Sequence, residues 1–297
     1  MLEAGFDAER ASPDAQVVCV GETLLHLVAE GPLAEAGSYA VEAGGAAVEV
    51  ALSLARRGLA VRVSAPVGDD GHAGRLASAL EARGVDARGL VRVPGKKTSL
   101  LFVARGAERG VLPYRDLELE SEVDARAVEG ARHLHLASVL PSLEHLRALA
   151  ALARSARARG VRVSLDLNAR PQLFRAGASL GFHAALAELV AELDWLKASE
   201  DDLRLLGVDA AALGGWLPPR AWLFLTLAER GLEVFGPRGS LERDAPREVE
   251  GGMGAGDAFA AELVHSFEPE ADEAALEALL ERAQRAAIER LERGSPG

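Results

Sequence analysis

Gly251-Gly252-Met253-Gly254-Ala255-Gly256-Asp257-Ala258-Phe259 is the stretch on which the reading of this chain turns. Small residues form a turn that runs directly into an apolar helix carrying Ala260, Leu263 and Val264. The first amides of a helix have no intrahelical acceptors, and a Gly-Ala-Gly start also leaves them sterically open. Such a tip binds anions through its bare N–H donors and the positive end of the helix dipole. Asp257, in the first turn, stands beside the bound anion. In phosphoryl transfer that pairing has a use: the amides stabilise transferring charge while the carboxylate accepts the attacking hydroxyl's proton. The structural alternative is a glycine-rich turn in which Asp257 merely complements the helix N-terminus.

Outward from this turn, short β-rich runs alternate with longer amphipathic ones, the pattern of βαβ units around a largely parallel sheet. The predicted strands are Gln16–Gly21, Val61–Val67, His133–Ser138, Val161–Leu167, Asp194–Ala198 and Leu223–Leu227. Ala47, Val50, Ala51 and Leu54 recur at helical spacing, and Ala73, Leu76, Ala77 and Leu80 repeat it. Leu143–Arg159 and Ala271–Arg293 are longer helical patterns. Thr23–Val41 and Thr98–Tyr114 break the rhythm: each reads as short strands interrupted by Gly and Pro, with no helix of its own. They are expected to form a small separate sheet. Met1–Ala15, acidic and without an apolar core, reads as a loose tail rather than a secretory signal, and Gly294–Gly297 as a frayed end.

The 297 residues, 49% of them hydrophobic, suit one large α/β domain or two small ones. No apolar run reaches the ~18 residues of a membrane span, so no membrane partner is expected. A net charge of −12 speaks against a nucleic-acid partner, which needs a basic surface. The single cysteine, Cys19, excludes an internal disulfide and a cysteine-based zinc site, and a cytoplasmic location is the default expectation.

Gly254 to Phe259 resembles the C-terminal signature of the PfkB, or ribokinase-like, carbohydrate kinases. Gly44-Gly45-Ala46 through Gly68-Asp69-Asp70-Gly71 and Gly74 resembles their second signature. Leu80 to Asp86, Asp166-Leu167-Asn168-Ala169-Arg170, Lys197 to Leu206 and Thr226 to Gly231 follow in the family's order. The resemblance implies an α/β fold: a three-layer α/β/α sandwich with a mostly parallel central sheet and a small β-sheet lid. The kinase domain would span 16–297, with lid strands from about 23–41 and 98–114. It also implies ATP-dependent phosphorylation of a hydroxyl on a small sugar or sugar acid, with Mg²⁺ bridging the ATP phosphates. Asp257 would be the catalytic base, with the Gly254, Ala255 and Gly256 amides as the anion hole. Gly44 and Gly45 would let the backbone approach the sugar. Lys197, Ser199, Thr226 and Gly231 would line the nucleotide site, and Asp202 would hold a metal-bound water. The lid would cover the sugar and serve as a homodimer contact.

Within the family, Gly21-Glu22-Thr23, Tyr114-Arg115 and Asp166–Arg170 most resemble the 2-keto-3-deoxygluconate kinase branch. That resemblance makes Tyr114, Arg115, Asp166, Asn168 and Arg170 substrate-binding candidates, with the two arginines gripping a sugar-acid carboxylate. Arg115 as a solvated surface residue is the plainer reading. Asp166 and Asn168 share one face of a strand end, where they could instead cap the following loop.

Several positions depart from the family pattern. Glu49 replaces the substrate-binding asparagine; a carboxylate there would repel a sugar acid, yet it also suits the first turn of a helix. Gly251-Gly252 replaces Asp-Thr, Ser199-Glu200-Asp201-Asp202 replaces Asn-x-x-Glu, and Ala228 replaces the glycine of Thr-x-Gly. The segment after Arg115 is shortened. A kinase-fold protein that binds a ligand or partner without phosphoryl transfer is therefore the alternative function. Gly177-Ala178-Ser179-Leu180-Gly181 fits a nucleophile elbow, but Arg170–Ala176 does not form the buried strand that elbow requires. No G-x-G-x-x-G follows the first strand. Gly95-Lys96-Lys97 lacks the spacing and hydroxyl of a Walker loop. His26, His133 and His135 alternate with apolar residues and read as strand packing.

Overall fold

The computed structural model describes residues 15–105, 110–174, 180–246 and 254–292. In β1 (Val17–Gly21), side chains alternate between the two faces of a sheet. Val17 and Cys19 join one apolar cluster, Val18 and Val20 another, so the strand is buried on both sides.

The chain then runs through β2 (Leu24–Glu30), β3 (Ala40–Gly44), α1 (Ala46–Ala55), β4 (Val61–Gly68), α2 (Gly71–Glu81) and β5 (Val85–Val93). Next come β6 (Leu100–Arg105), β7 (Gly110–Tyr114), the single turn α3 (Leu117–Glu120), β8 (His133–Ala137), α4 (Leu143–Ala158) and β9 (Arg162–Asp166). α5 (Leu180–Val190), β10 (Trp195–Ser199), α6 (Glu200–Leu206), α7 (Ala210–Trp216) and β11 (Trp222–Thr226) follow. A hairpin of β12 (Leu232–Gly236) and β13 (Gly239–Arg243) leads to α8 (Ala255–Ser266) and α9 (Glu273–Glu292).

Among the described residues the main sheet has the order β13-β12-β11-β10-β9-β8-β1-β4-β5. Its neighbours are parallel from β11 through β5, while β12 and β13 pair antiparallel at one edge. Val50, Leu54, Leu76, Leu263 and Leu280 pack α1, α2, α8 and α9 on one face. Leu146, Leu149, Leu186, Leu206 and Leu213 pack α4, α5, α6 and α7 on the other. This is the expected three-layer α/β/α sandwich.

The two irregular segments form a second sheet of order β3-β2-β6-β7, in which β2 is parallel to β6 and the outer pairs are antiparallel. Asp70 fixes its approach to the main sheet. It caps α2 through His72 N and Ala73 N, and it accepts from Thr98 N and Thr98 Oγ1, both at 2.8 Å.

The tail and some strands differ from the sequence expectations, while the sheet histidines match them. Ala15, assigned to the tail, is buried in the core; the rest of that tail and Gly294–Gly297 lie outside the described residues. β5 and the β12–β13 hairpin were not among the predicted strands. His133 Nε2 and His135 Nδ1 meet Ser164 Oγ at 2.7 and 2.9 Å in the buried sheet, in keeping with strand packing.

Candidate active site

Helix α8 begins at Gly254, whose φ of 87° is the left-handed conformation that glycine adopts cheaply, and among the described residues no side chain caps it. The first amides are therefore presented by geometry alone. A Cβ at Gly256 would stand 2.9 Å from Lys197 Nζ, so an ammonium lies directly against the helix tip. Lys197 Nζ contacts both carboxylate oxygens of Asp166 at 3.0 Å, and both residues are buried. Burial works against the charged ammonium, but Asp166, Asp202 and Asp257 outweigh it and hold Lys197 above its ordinary pKa. Asp166, a substrate-binding candidate, and Lys197, a nucleotide candidate, thus form one buried ion pair beneath the tip. Asp166 is 1% exposed and offers no surface for a sugar to touch.

Asp257 is buried in the first turn of α8, and Asn168 Nδ2 donates to its Oδ1 at 3.2 Å. Burial raises its pKa above the ordinary carboxylate value; Arg170 and Lys197 pull against that shift without cancelling it. Asn168 sits just beyond β9 with a φ of 41°, a conformation asparagine tolerates better than most residues. The next residue, Ala169, donates its N–H to Asp202 Oδ1 at 2.7 Å. Asp202 Oδ2 accepts from Ser199 N and Ser199 Oγ, both at 2.7 Å, and Asp202 N donates to Ser199 Oγ at 3.1 Å. This is a capping box at the start of α6. Asp202 was expected to hold a metal-bound water and Ser199 to face the nucleotide. Instead both carboxylate oxygens and the hydroxyl are engaged by the protein, and the pair clamps the loop that aims Asn168 at Asp257.

Glu22, directly after β1, gathers the arginines. Arg115 Nη1 lies 2.7 Å from Glu22 Oε1, Arg170 binds Oε2, and Ala46 N donates to the same oxygen at 3.3 Å. Arg115 also binds Glu120, whose Oε1 accepts from Ser99 Oγ at 2.5 Å. Burial pushes the Glu22 carboxyl up, yet Arg170 and Arg115 hold it down at about 2. Arg115 is therefore not a solvated surface residue, and its guanidinium is already shared between two carboxylates. Glu22 entered the sequence reading only as part of a branch motif. The available signal was its position just past a strand end in a parallel sheet, where ligands bind in this architecture.

The glycines before α1 sit in close contact with other parts of the chain. A Cβ at Gly44 would stand 2.3 Å from the His26 ring, and one at Gly45, with φ 103°, 2.3 Å from the Glu22 carbonyl oxygen. Their small size lets protein pack on protein. Tyr114 lies on β7, is 60% exposed and packs edge-on against Phe102 at 5.4 Å.

Glu49, in the first turn of α1, is partly buried and lies 3.5 Å from Arg290 near the end of α9. Burial raises its pKa to about 7, with Arg290 opposing and the nearby Asp257 carboxylate reinforcing the rise. Nothing in the sequence singled out Arg290, one arginine of several on a long amphipathic helix. A cavity of about 630 Å³ opens between the end of β13 and α9, lined by Arg243, Asp244, Pro246, Arg285, Ile288 and Glu289 among others. Gly231, with φ 101°, packs against the Arg243 carbonyl at its rim, where a Cβ would stand 2.0 Å away. Thr226 ends β11 with its hydroxyl 3.3 Å from the Ala198 carbonyl. Ala228 holds a φ of 52°, which explains why glycine is the pattern there. Gly251-Gly252 and the Gly177–Ser179 stretch lie outside the described residues.

The model of the pfkB family of carbohydrate kinases matches residues 14–297. The chain belongs to that family. Among its relatives, fructokinase-1 of Oryza sativa subsp. japonica is 30% identical over 84% of this chain and 81% of its own length. Among solved structures, the ATP-bound fructokinase of Xylella fastidiosa superposes with a TM-score of 0.78 at 26% identity, covering 94% of this chain and 92% of its own. The PfkB protein of Polaromonas sp. JS666 gives 0.75 at 25% identity over 95% and 97%. The pfkB domain thus occupies nearly the whole chain.

Proposed function

We propose that this pfkB carbohydrate kinase transfers the γ-phosphoryl group of ATP to a hydroxyl of a neutral sugar, a ketohexose such as fructose first among candidates. Asp257 is the base, and the Gly254, Ala255 and Gly256 amides receive the transferring group. The observation that carries this reading is the buried Asp257 carboxylate, held by Asn168 in the first turn of a helix with a bare glycine start. The sugar oxygen bonds to the γ-phosphorus as its proton passes to Asp257. The bond from that phosphorus to the bridging oxygen breaks, and ADP leaves with the oxygen. Arg170 and Lys197 limit the rise of the Asp257 pKa, keeping it able to accept a proton near neutrality.

Charge favours a neutral substrate over a sugar acid. Arg115 and Arg170, the two arginines that would grip a sugar carboxylate, are already paired with Glu22 and Glu120. The fructokinase relatives agree with that choice. The cavity beside α9 is of a size to take the adenosine. Mg²⁺ would enter with the ATP phosphates, held mainly through water and phosphate oxygens. A homodimer through the exposed edge strand β7 completes the proposal.

ADP release measured with ATP and Mg²⁺ over fructose, glucose, ribose and 2-keto-3-deoxygluconate tests the reading. Fructose turnover is expected, with a loss of about 1,000-fold in Asp257→Asn. Its rate should fall on the acid side at a pH above the usual carboxylate range, because protonated Asp257 accepts nothing. If no sugar gives Asp257-dependent turnover while sugars still raise the melting temperature, the molecule is a binding protein on a kinase fold.

A further inference from the structure

Arg290 places a cation where helix electrostatics disfavours one. The guanidinium lies so close to Gly254 that a Cβ there would stand 2.8 Å from Nε, 2.9 Å from Nη2 and 3.0 Å from Cζ. That glycine begins α8, whose dipole already makes the tip positive. Glu49 stands 3.5 Å away, and the two side chains are 13% and 11% exposed, so the charge is little screened by solvent. Its field reaches Asp257, Glu49 and His26, which places it within the charged cluster rather than on the outer surface. Glu289 and Glu292, on either side of it in the sequence, line the cavity beside α9. The last turn of α9 therefore borders both that cavity and the α8 tip. A buried cation added to bare amides is costly beside empty solvent and favourable beside a polyanion.

We propose that Arg290 contacts the γ-phosphoryl group of ATP before and during transfer, with Glu49 holding the guanidinium in place until the phosphate arrives. The inference rests on the reading of this site as an ATP-dependent sugar kinase. As the sugar oxygen bonds to phosphorus and its proton moves to Asp257, the bond to the bridging oxygen breaks. Charge builds on that oxygen and on the three oxygens of the moving group, next to a fixed cation. Glu49 then has a role that its family counterpart, an uncharged residue, would not fill: it is the counter-ion of Arg290.

Calorimetric titration of ADP and of the non-hydrolysable analogue AMP-PNP, each with Mg²⁺, reads the contact without turnover. Wild type is expected to prefer AMP-PNP, and Arg290→Met to lose about tenfold of that preference while its ADP affinity changes little. Turnover in the same variant should fall about 100-fold in kcat with KM for the sugar unchanged. An ion pair that only supports the fold would weaken both nucleotides alike or neither, and that result overturns the proposal. Where Arg290→Met does not fold, Arg290→Lys takes its place: a smaller loss of preference is expected, and an undiminished preference overturns it. Glu49→Gln leaves the arginine intact and should increase the preference for AMP-PNP; no change removes the holding role given to Glu49. If wild type binds no AMP-PNP at all, the kinase reading itself fails, and this inference with it. If wild type binds AMP-PNP with a preference that Arg290→Met leaves alone, only this inference does.

Discussion

Asp202→Asn separates a structural clamp from a metal ligand. The carboxylate is 3% exposed and accepts from Ser199 N, Ser199 Oγ and Ala169 N, each at 2.7 Å. Asparagine keeps one acceptor oxygen and turns an NH₂ group towards at least one of the buried donors. A hydrogen bond to a charged group contributes about 1.5–3 kcal/mol, and a buried donor left without an acceptor costs about 1–3 kcal/mol. Loss of the capping box at α6 overlaps with these terms. The expected destabilisation is about 3 kcal/mol, read as a lowered urea midpoint at unchanged slope. With Ala169 no longer held, the Asn168 amide loses its aim at Asp257, and kcat should fall about tenfold. The Mg²⁺ concentration needed for half-maximal rate should not move. A variant within about 0.5 kcal/mol of wild type that needs far more Mg²⁺ would refute the clamp and restore the metal role.

Other consequences are equally direct. Glu22, held at about 2 in the fold against an ordinary 4.5, contributes stability that is present above the unfolded value and is lost as pH falls towards 2. The shift is on the order of 3 kcal/mol, so acid titration of the unfolding free energy should show a steep fall between those values that Glu22→Gln flattens. Ala228→Gly should stabilise the protein by about 1 kcal/mol in chemical unfolding, because alanine at a φ of 52° is strained; an unchanged midpoint would contradict it. β7 exposes Val111 at 40%, Leu112 at 48% and Tyr114 at 60% on a sheet edge, so Leu112→Glu should shift a dimer to monomer in sedimentation. A wild-type chain that is monomeric at high concentration removes that contact.

The parallel strands were legible because each is a short apolar run bounded by turn residues, and the helices because Ala47, Val50 and Leu54 or Ala73, Leu76 and Leu80 keep the helical period. β5 escaped because Asp86, Arg88 and Arg92 interrupt it; it is a sheet edge with one wet side, where charge is tolerated. The β12–β13 hairpin carries the same ambiguity, with Glu233 and Glu242 paired across it. Asp257 and Asn168, which the fold brings into contact, were legible as candidates from the motifs that bear them. What a motif cannot tell is who neutralises whom. Arg115 and Arg170 look like carboxylate binders until Glu22 and Glu120 are seen to occupy them. Asp202 likewise looks like a metal ligand until Ala169 and Ser199 are seen to use both of its oxygens. Arg290 had no motif, and only the antiparallel packing of α9 on α8 brings it to Gly254.

The charged cluster is assembled from widely scattered parts: Arg170 meets Glu22 across 148 positions of chain, and Asn168 meets Asp257 across 89. Pairings that distant close late, after the local turns and helices have formed. The cluster is therefore a property of the finished topology, and its appearance during refolding marks the moment at which the far ends of the architecture come into register.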